Sequence, residues 1–234
     1  MYTNKIVLIT GTSKGTGFEI ANHFLKNNSY VIGISRNNPK IENGKYGHFN
    51  VDISKPEEVV KCFKEITYKY KKIDIAINNA AILTSQYSMI MPVKNAVDMV
   101  NTNLIGAFVV ARESAKLMRK NNIGRIINIG SMAASLEPAG DSIYAACKSG
   151  LITMSNIMAK EYSSYNITCN TLGITAFETE MLKQLPRHKI DEIIKKLPIP
   201  RYAGIDDILN VIDFFASERS SYITAQTVYL GGIN

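Results

Sequence analysis

Cysteine is scarce: Cys62, Cys147 and Cys169 are odd in number and widely spaced, in no metal-ligand pattern. A disulfide framework or a zinc cluster needs paired or clustered thiols, so free thiols in a reducing compartment are expected, and no metal site. Long apolar runs are also missing. The longest, at 6–9 and 126–129, are strand-sized and far too short to span a bilayer. At the amino end no basic stretch leads into an apolar run with a small-residue cleavage site. A soluble, cytoplasmic protein without a membrane partner is therefore the expectation. No proline- or glycine-rich linker, repeat or low-complexity run divides the 234 residues, so residues 1–234 are expected to form one domain. Concentrated basic charge is lacking as well. The net charge of +7 is scattered, with short clusters at 69–72, 119–120 and 195–196. A nucleic-acid face would gather such charge and interleave aromatics, so no nucleic-acid partner is expected. A phosphate-bearing cofactor or an anionic small substrate uses the same charge better.

What is present is alternation. Short apolar runs at 5–10, 30–34, 46–51, 73–77, 125–129, 166–171 and 226–230 read as strands. Amphipathic stretches at 15–27, up to about 71, 93–120, 142–163 and 205–216 read as helices. Ser54-Lys55-Pro56-Glu57 has the spacing of a capping box with proline in the first turn. Residues 174–200 mix apolar and charged positions without clear periodicity. Strands separated by helices of this length imply right-handed crossovers, and hence a parallel sheet covered on both faces. The expected class is α/β, a doubly wound parallel sheet.

Between the first strand and first helix stands Thr10-Gly11-Thr12-Ser13-Lys14-Gly15-Thr16-Gly17. Glycines there allow a tight turn and a close approach of backbone to phosphate, and the helix amino terminus offers unpaired N–H groups to a pyrophosphate. The glycines alone also suit an ordinary strand–helix turn. The Gly-Lys-Ser/Thr ending of a nucleoside-triphosphate loop is missing, which argues against ATP or GTP. After the second strand the chain reads Ile34-Ser35-Arg36-Asn37, with no acid for a ribose 2′-hydroxyl. Lys14 and Arg36 can supply charge for a 2′-phosphate, or stand in solvent; the former reading favours NADPH over NADH.

Tyr144-Ala145-Ala146-Cys147-Lys148 puts a phenol and an ammonium on one helix face, one turn apart. A phenol near pKa ~10 needs a neighbouring cation to work as an acid–base group near neutrality. Such a pair alone recurs by chance in helices. Ser131, however, ends the fifth strand at the sheet edge where doubly wound folds bind ligands, and its hydroxyl can orient a carbonyl or be a plain loop hydroxyl. Asn101-Thr102-Asn103 sits in a helical pattern that asparagine suits poorly, holding a water or lying at the surface.

Taken together, Gly11-x-x-x-Gly15-x-Gly17, Asp52, Asn78-Asn79-Ala80, Asn103, Ser131 and Tyr144-x-x-x-Lys148 resemble, in order and spacing, the short-chain dehydrogenases/reductases. The resemblance spans essentially the whole chain and points to the branch that contains the 3-oxoacyl-carrier-protein reductases. It implies a Rossmann fold of about seven strands and an oxidoreductase working on a carbonyl or secondary alcohol. Tyr144 would be the general acid in reduction and the base in oxidation. Lys148 would hold the nicotinamide ribose and lower the phenol pKa, Ser131 would position the carbonyl, and Asn103 would hold a water. Cofactor contacts are implied for Gly11, Ser13, Lys14, Gly15, Thr16 and Gly17, for Arg36, for Asp52 and Ile53, for Asn79 and Ala80, and for Phe177 and Thr179 in a lid at about 174–200. Two departures stand out. Ala81 replaces a glycine, and Ile174-Thr175 replaces the Pro-Gly that would lie near the nicotinamide carboxamide.

The leading expectation is an NADPH-dependent reductase of a small-molecule ketone. The alternatives are a 3-oxoacyl-carrier-protein reductase and a catalytically silent cofactor-binding sensor. In carrier-protein reductases arginines flank the active-site mouth. The equivalent positions here are Asn122 and Tyr165, with Arg119, Lys120 and Arg125 close enough to replace only the first. A homotetramer or homodimer is expected, through an apolar stripe of Leu151, Met154, Ile157 and Met158 that could equally cover the protein's own sheet.

Overall fold

The computed structural model describes residues 2–177 and 187–233. Seven strands form one parallel sheet: β1 Ile6–Thr10, β2 Tyr30–Ser35, β3 Tyr46–Asn50, β4 Ile75–Asn78, β5 Gly124–Ser131, β6 Ile167–Ile174 and β7 Thr227–Tyr229, in the order β3-β2-β1-β4-β5-β6-β7. The order reverses direction between β1 and β4, and a ligand crevice opens at such a switch point beyond the carboxyl ends of the strands. Alternation along the strands supplies two cores. Leu8, Ile32, Ile34 and Ile126 face one way, against α2 Pro56–Tyr70, α4 Ala107–Asn121 and α6 Ser142–Tyr162. Val7, Ile9, Ile77 and Ile127 face the other, against α1 Gly15–Lys26 and α8 Ile205–Ala216. The doubly wound α/β architecture is as the alternation of the sequence implies.

Several elements differ from expectation. The stretch read as one helix over 93–120 is three pieces: α3 Val93–Val100, a π turn over Asn101–Gly106, and α4. The capping box at Ser54 does not form. Lys55 is the N-cap and makes no side-chain cap bond, while the Ser54 N–H and hydroxyl both donate to Asp52 Oδ1, at 3.0 and 2.8 Å. Proline at Pro56 still sets the first turn. A short helix, α5 Ala133–Leu136, follows β5, and α7 Arg187–Lys195 lies in the segment read as irregular. The stripe on α6 divides. Leu151 and Met158 are buried and Met154 is packed against the sheet core, so most of it covers the protein's own sheet; Ile157 alone is 50% exposed.

Candidate active site

The turn after β1 is built for close approach. Gly11 and Gly15 have φ of +74° and +60°, a region that disfavours side chains. A Cβ at Gly17 would collide with the Gly11 carbonyl oxygen, so the first turn of α1 presses onto the strand exit. Asn79, just beyond β4, holds this arrangement from the side. Its N–H and that of Ala80 donate to Thr10 Oγ1, both at 3.0 Å, and its Nδ2 donates to the Thr10 carbonyl at 2.9 Å. The amide nitrogen implied for the ribose region is thus turned inward as a brace. At the start of α1, Lys14 is an extended N-cap with no side-chain cap bond, leaving the first-turn N–H groups without a side-chain partner.

From this turn a cleft of about 850 Å³ runs across the carboxyl edge of the sheet to Ser131, Tyr144 and Lys148. Gly11, Ser13, Lys14, Gly15, Thr16, Arg36, Asp52, Ile53, Asn79, Ala80 and Phe177 all line it. Gly17 and Asn103 do not; Gly17 sits behind the turn, and Thr179 lies outside the described residues. Burial raises the Asp52 pKa, yet the two bonds from Ser54 and the charges of Arg36 and Lys55 outweigh it and hold the carboxyl below its ordinary range.

At the far end, Ser131 closes β5 and Tyr144 lies in the first turn of α6. Ser131 Oγ accepts the Ala133 N–H at 3.2 Å and is hydrogen-bonded to the Tyr144 hydroxyl. Burial pushes the Tyr144 phenol up to about 12; the Ser131 bond opposes this, while Asp141 and Cys147 add to it. One turn on, burial lowers the Lys148 ammonium to about 8. Its Nζ donates to the Ile129 carbonyl at 2.7 Å and lies 5.7 Å from the centre of the Tyr144 ring. At neutral pH the site therefore holds a protonated phenol beside a mostly charged, buried amine.

Asn103, expected to hold a water, lies in the π turn, where its Oδ1 accepts the Ile82 N–H and its Nδ2 donates to the Ile82 carbonyl, both at 2.8 Å. The side chain thus pins the segment that follows β4. Ile174 and Thr175 line the cleft, and the Ile174 carbonyl accepts the Met132 N–H at 2.9 Å, joining β6 to the segment after Ser131. Sequence reasoning missed part of the other wall, Gln86 and the 138–141 loop; Ile190 and Ile193 of α7, also on that wall, fall in the segment expected as a lid. No motif marks them, because loop and helix positions gather there only once the sheet is formed.

The positions compared with carrier-docking arginines also differ. Asn122 ends α4 and Tyr165 precedes β6, both at the amino edge of the sheet, a strand's length from the cleft of the same chain. Arg125 is 4% exposed and donates to the Ser217 and Gly124 carbonyls, so it cannot serve at a surface; Arg119 stacks on the Tyr165 ring at 5.7 Å.

A glycine turn at the switch point of a doubly wound sheet, sharing one cleft with a serine, a tyrosine and a lysine, defines a dinucleotide-binding oxidoreductase. The family model described as short chain dehydrogenase matches residues 5–190. The chain is 31% identical over 237 residues to the 3-oxoacyl-acyl-carrier-protein reductase of Salmonella typhimurium, covering 99% of this chain and 97% of that protein. It is 33% identical to the reductase of the same name from Chlamydia pneumoniae, covering 97% and 96%. Among solved structures, the ligand-free aldohexose dehydrogenase of Thermoplasma acidophilum superposes with a TM-score of 0.90 at 26% identity, over 98% of this chain and 94% of that one. A short-chain dehydrogenase of Leptospira borgpetersenii, solved with NAD+, gives 0.90 at 24%, over 99% and 92%, a likeness of fold. The chain belongs to the short-chain dehydrogenases/reductases, NAD(P)-binding oxidoreductases that act on CH–OH/C=O groups.

Proposed function

We propose that this protein is an NADPH-dependent reductase of a free small-molecule ketone, with Tyr144 as the acid in reduction and the base in the reverse oxidation. The observation that carries the reading is the meeting of Ser131, Tyr144 and Lys148 at one end of the cleft that begins at the glycine turn. The residues fit a dinucleotide. A Cβ at Gly17 would fill the space the turn needs, and the first-turn N–H groups of α1 are open beside Lys14, with Arg36 on the same cleft. When bound, the cofactor would supply the hydride equivalent and, once oxidised, a positive charge. The protein's own part is protonic and positional. Ser131 hydrogen-bonds the substrate carbonyl, Tyr144 donates its proton to that oxygen, and the Lys148 ammonium stabilises the phenolate left behind. Ser13, Thr16, Asp52, Ile53, Ala80 and Phe177 belong to the same cofactor site of a single catalytic domain in this reading.

A free substrate is favoured over a carrier-bound one because Asn122 and Tyr165 are not basic and Arg125 is buried. The second reading, a 3-oxoacyl-carrier-protein reductase, draws on the 31–33% identity to proteins of that name. We assign the working form to a homotetramer or homodimer, supported by Ile105, Phe108 and Ile157, which stand 39%, 38% and 50% exposed on the π turn, α4 and α6. The deciding experiment is NADPH consumption across a panel of ketones and acyl thioesters, free and carrier-bound. Turnover of free ketones supports the reading. A hundredfold preference for the carrier-bound thioester that vanishes in high salt would favour the second, and no turnover of any carbonyl would favour a silent cofactor-binding protein.

A further inference from the structure

Behind the phosphate-facing turn runs a chain of hydrogen bonds that reaches it from the edge of the sheet. Thr12, fully buried between Gly11 and Ser13, meets the Tyr46 hydroxyl at 2.9 Å, and that hydroxyl meets His48 Nδ1 at 2.9 Å. Tyr46 and His48 lie on β3, the outermost strand, two residues apart and hence on one face; their rings stack with centroids 6.0 Å apart. To reach Thr12 the tyrosine must cross β2, and it does so over Gly33, the register partner of His48. A Cβ at Gly33 would collide with the Tyr46 hydroxyl and lie 2.6 Å from Thr12 Oγ1. The rest of the imidazole faces the Ser35 backbone and the Asn50 side chain. The chain thus joins the back of the turn to the end of β2, where Arg36 begins.

Burial lowers the His48 pKa, so the ring is neutral near pH 7. In the tautomer with the proton on Nε2, Nδ1 accepts from Tyr46 and the tyrosine oxygen accepts the Thr12 hydroxyl; in the other tautomer both bonds run the opposite way. Two hydrogen bonds in series, here part-buried, fix their end groups more tightly than a single bond does. Thr12 itself does not line the cleft, but Gly11, Ser13 and Lys14 on either side of it do.

We propose that Tyr46, backed by His48, is a positioning residue for the cofactor: it fixes the phosphate-facing turn from behind through Thr12 and so sets cofactor affinity. The inference rests on the reading of the cleft as an NADPH site. Its test is Tyr46→Phe, which keeps the ring and removes the hydroxyl. The dissociation constant for NADPH, by calorimetry, is expected to rise roughly threefold to tenfold, the loss of one neutral hydrogen bond. The kinetic effect should fall on KM for NADPH rather than on kcat. In the cofactor-free protein the amides of residues 11–16 should exchange with deuterium faster. His48→Ala should act likewise, and His48→Asn, which keeps an acceptor near the Nδ1 position, should recover most of the loss; this pair decides the matter if Tyr46→Phe does not fold. Unchanged affinity and unchanged exchange in Tyr46→Phe and His48→Ala, whatever their thermal stability, would overturn the proposal. Should the wild type bind neither NADPH nor NADH, the cofactor reading falls, while amide exchange still reports on the turn.

Discussion

Lys148 carries a charge into a place that resists it. Only 3% exposed, it has its ammonium lowered to about 8 by burial and rests on one carbonyl, that of Ile129. The unfolded chain holds that proton more tightly than the folded one. Stability therefore rises with pH between about 8 and the ordinary lysine value, and the full cost of the buried charge is felt below that window. Lys148→Met is expected to stabilise the cofactor-free protein by about 2 kcal/mol at neutral pH, with most of that gain gone near pH 10. Thermal melts at the two pH values check it; a destabilised variant at pH 7 would show that the Ile129 bond outweighs the buried charge. Arg36 lines the cleft beside Asp52, where a 2′-phosphate would find a guanidinium. Arg36→Asp should weaken NADPH binding about tenfold to a hundredfold and spare NADH, as loss of a charge-assisted contact does. Equal affinity of the wild type for both cofactors would place Arg36 in solvent.

The element that organises the cofactor end is the turn between β1 and α1, clamped by Asn79 on one side and by the pressing of Gly17 on the other. Gly17→Ala forces a methyl against the Gly11 carbonyl. We expect it to lose at least a few kcal/mol of stability, or to bind cofactor far more weakly if the turn yields instead. Binding and melting close to wild type would mean the helix moves aside freely. This turn was legible in the sequence because glycines after the first apolar run mark a tight strand–helix turn, with or without a phosphate on it. Ser131, Tyr144 and Lys148 were legible for the same reason: strand end and helical turn fix where they point. The π turn at Asn101–Gly106 was not, since one inserted residue leaves apolar periodicity intact on both sides. Nor was the true start of α2, where the Asp52 carboxylate captured the Ser54 hydroxyl that a capping box needs. The Tyr46–His48 chain depends on which strand lies at the edge, something no local pattern records.

Across the whole molecule, the sheet takes most of the apolar surface that α6 offers, with Leu151 and Met158 buried and Ile157 left outside. The stripe read from helical spacing was real, but spacing alone does not say which of two partners it meets. What remains exposed on α4 and the π turn, Phe108 and Ile105, supports the proposed assembly. Light scattering at micromolar concentration should give a dimer or tetramer, and Phe108→Glu with Ile157→Glu should reduce the mass to a monomer. A monomeric wild type would contradict this. Among the described residues no helix is long and apolar enough to cross a membrane.

The proposed transfer of a proton from Tyr144 to a substrate carbonyl, in a cleft that holds NADPH, is tested by one paired measurement on Tyr144→Phe. With a ketone that the wild type reduces, turnover should fall by about 10²–10⁴, the usual loss on removing a general acid. The dissociation constant for NADPH should stay within a few-fold, because the ring and its packing remain. Turnover within a few-fold of wild type would remove Tyr144 from the chemistry.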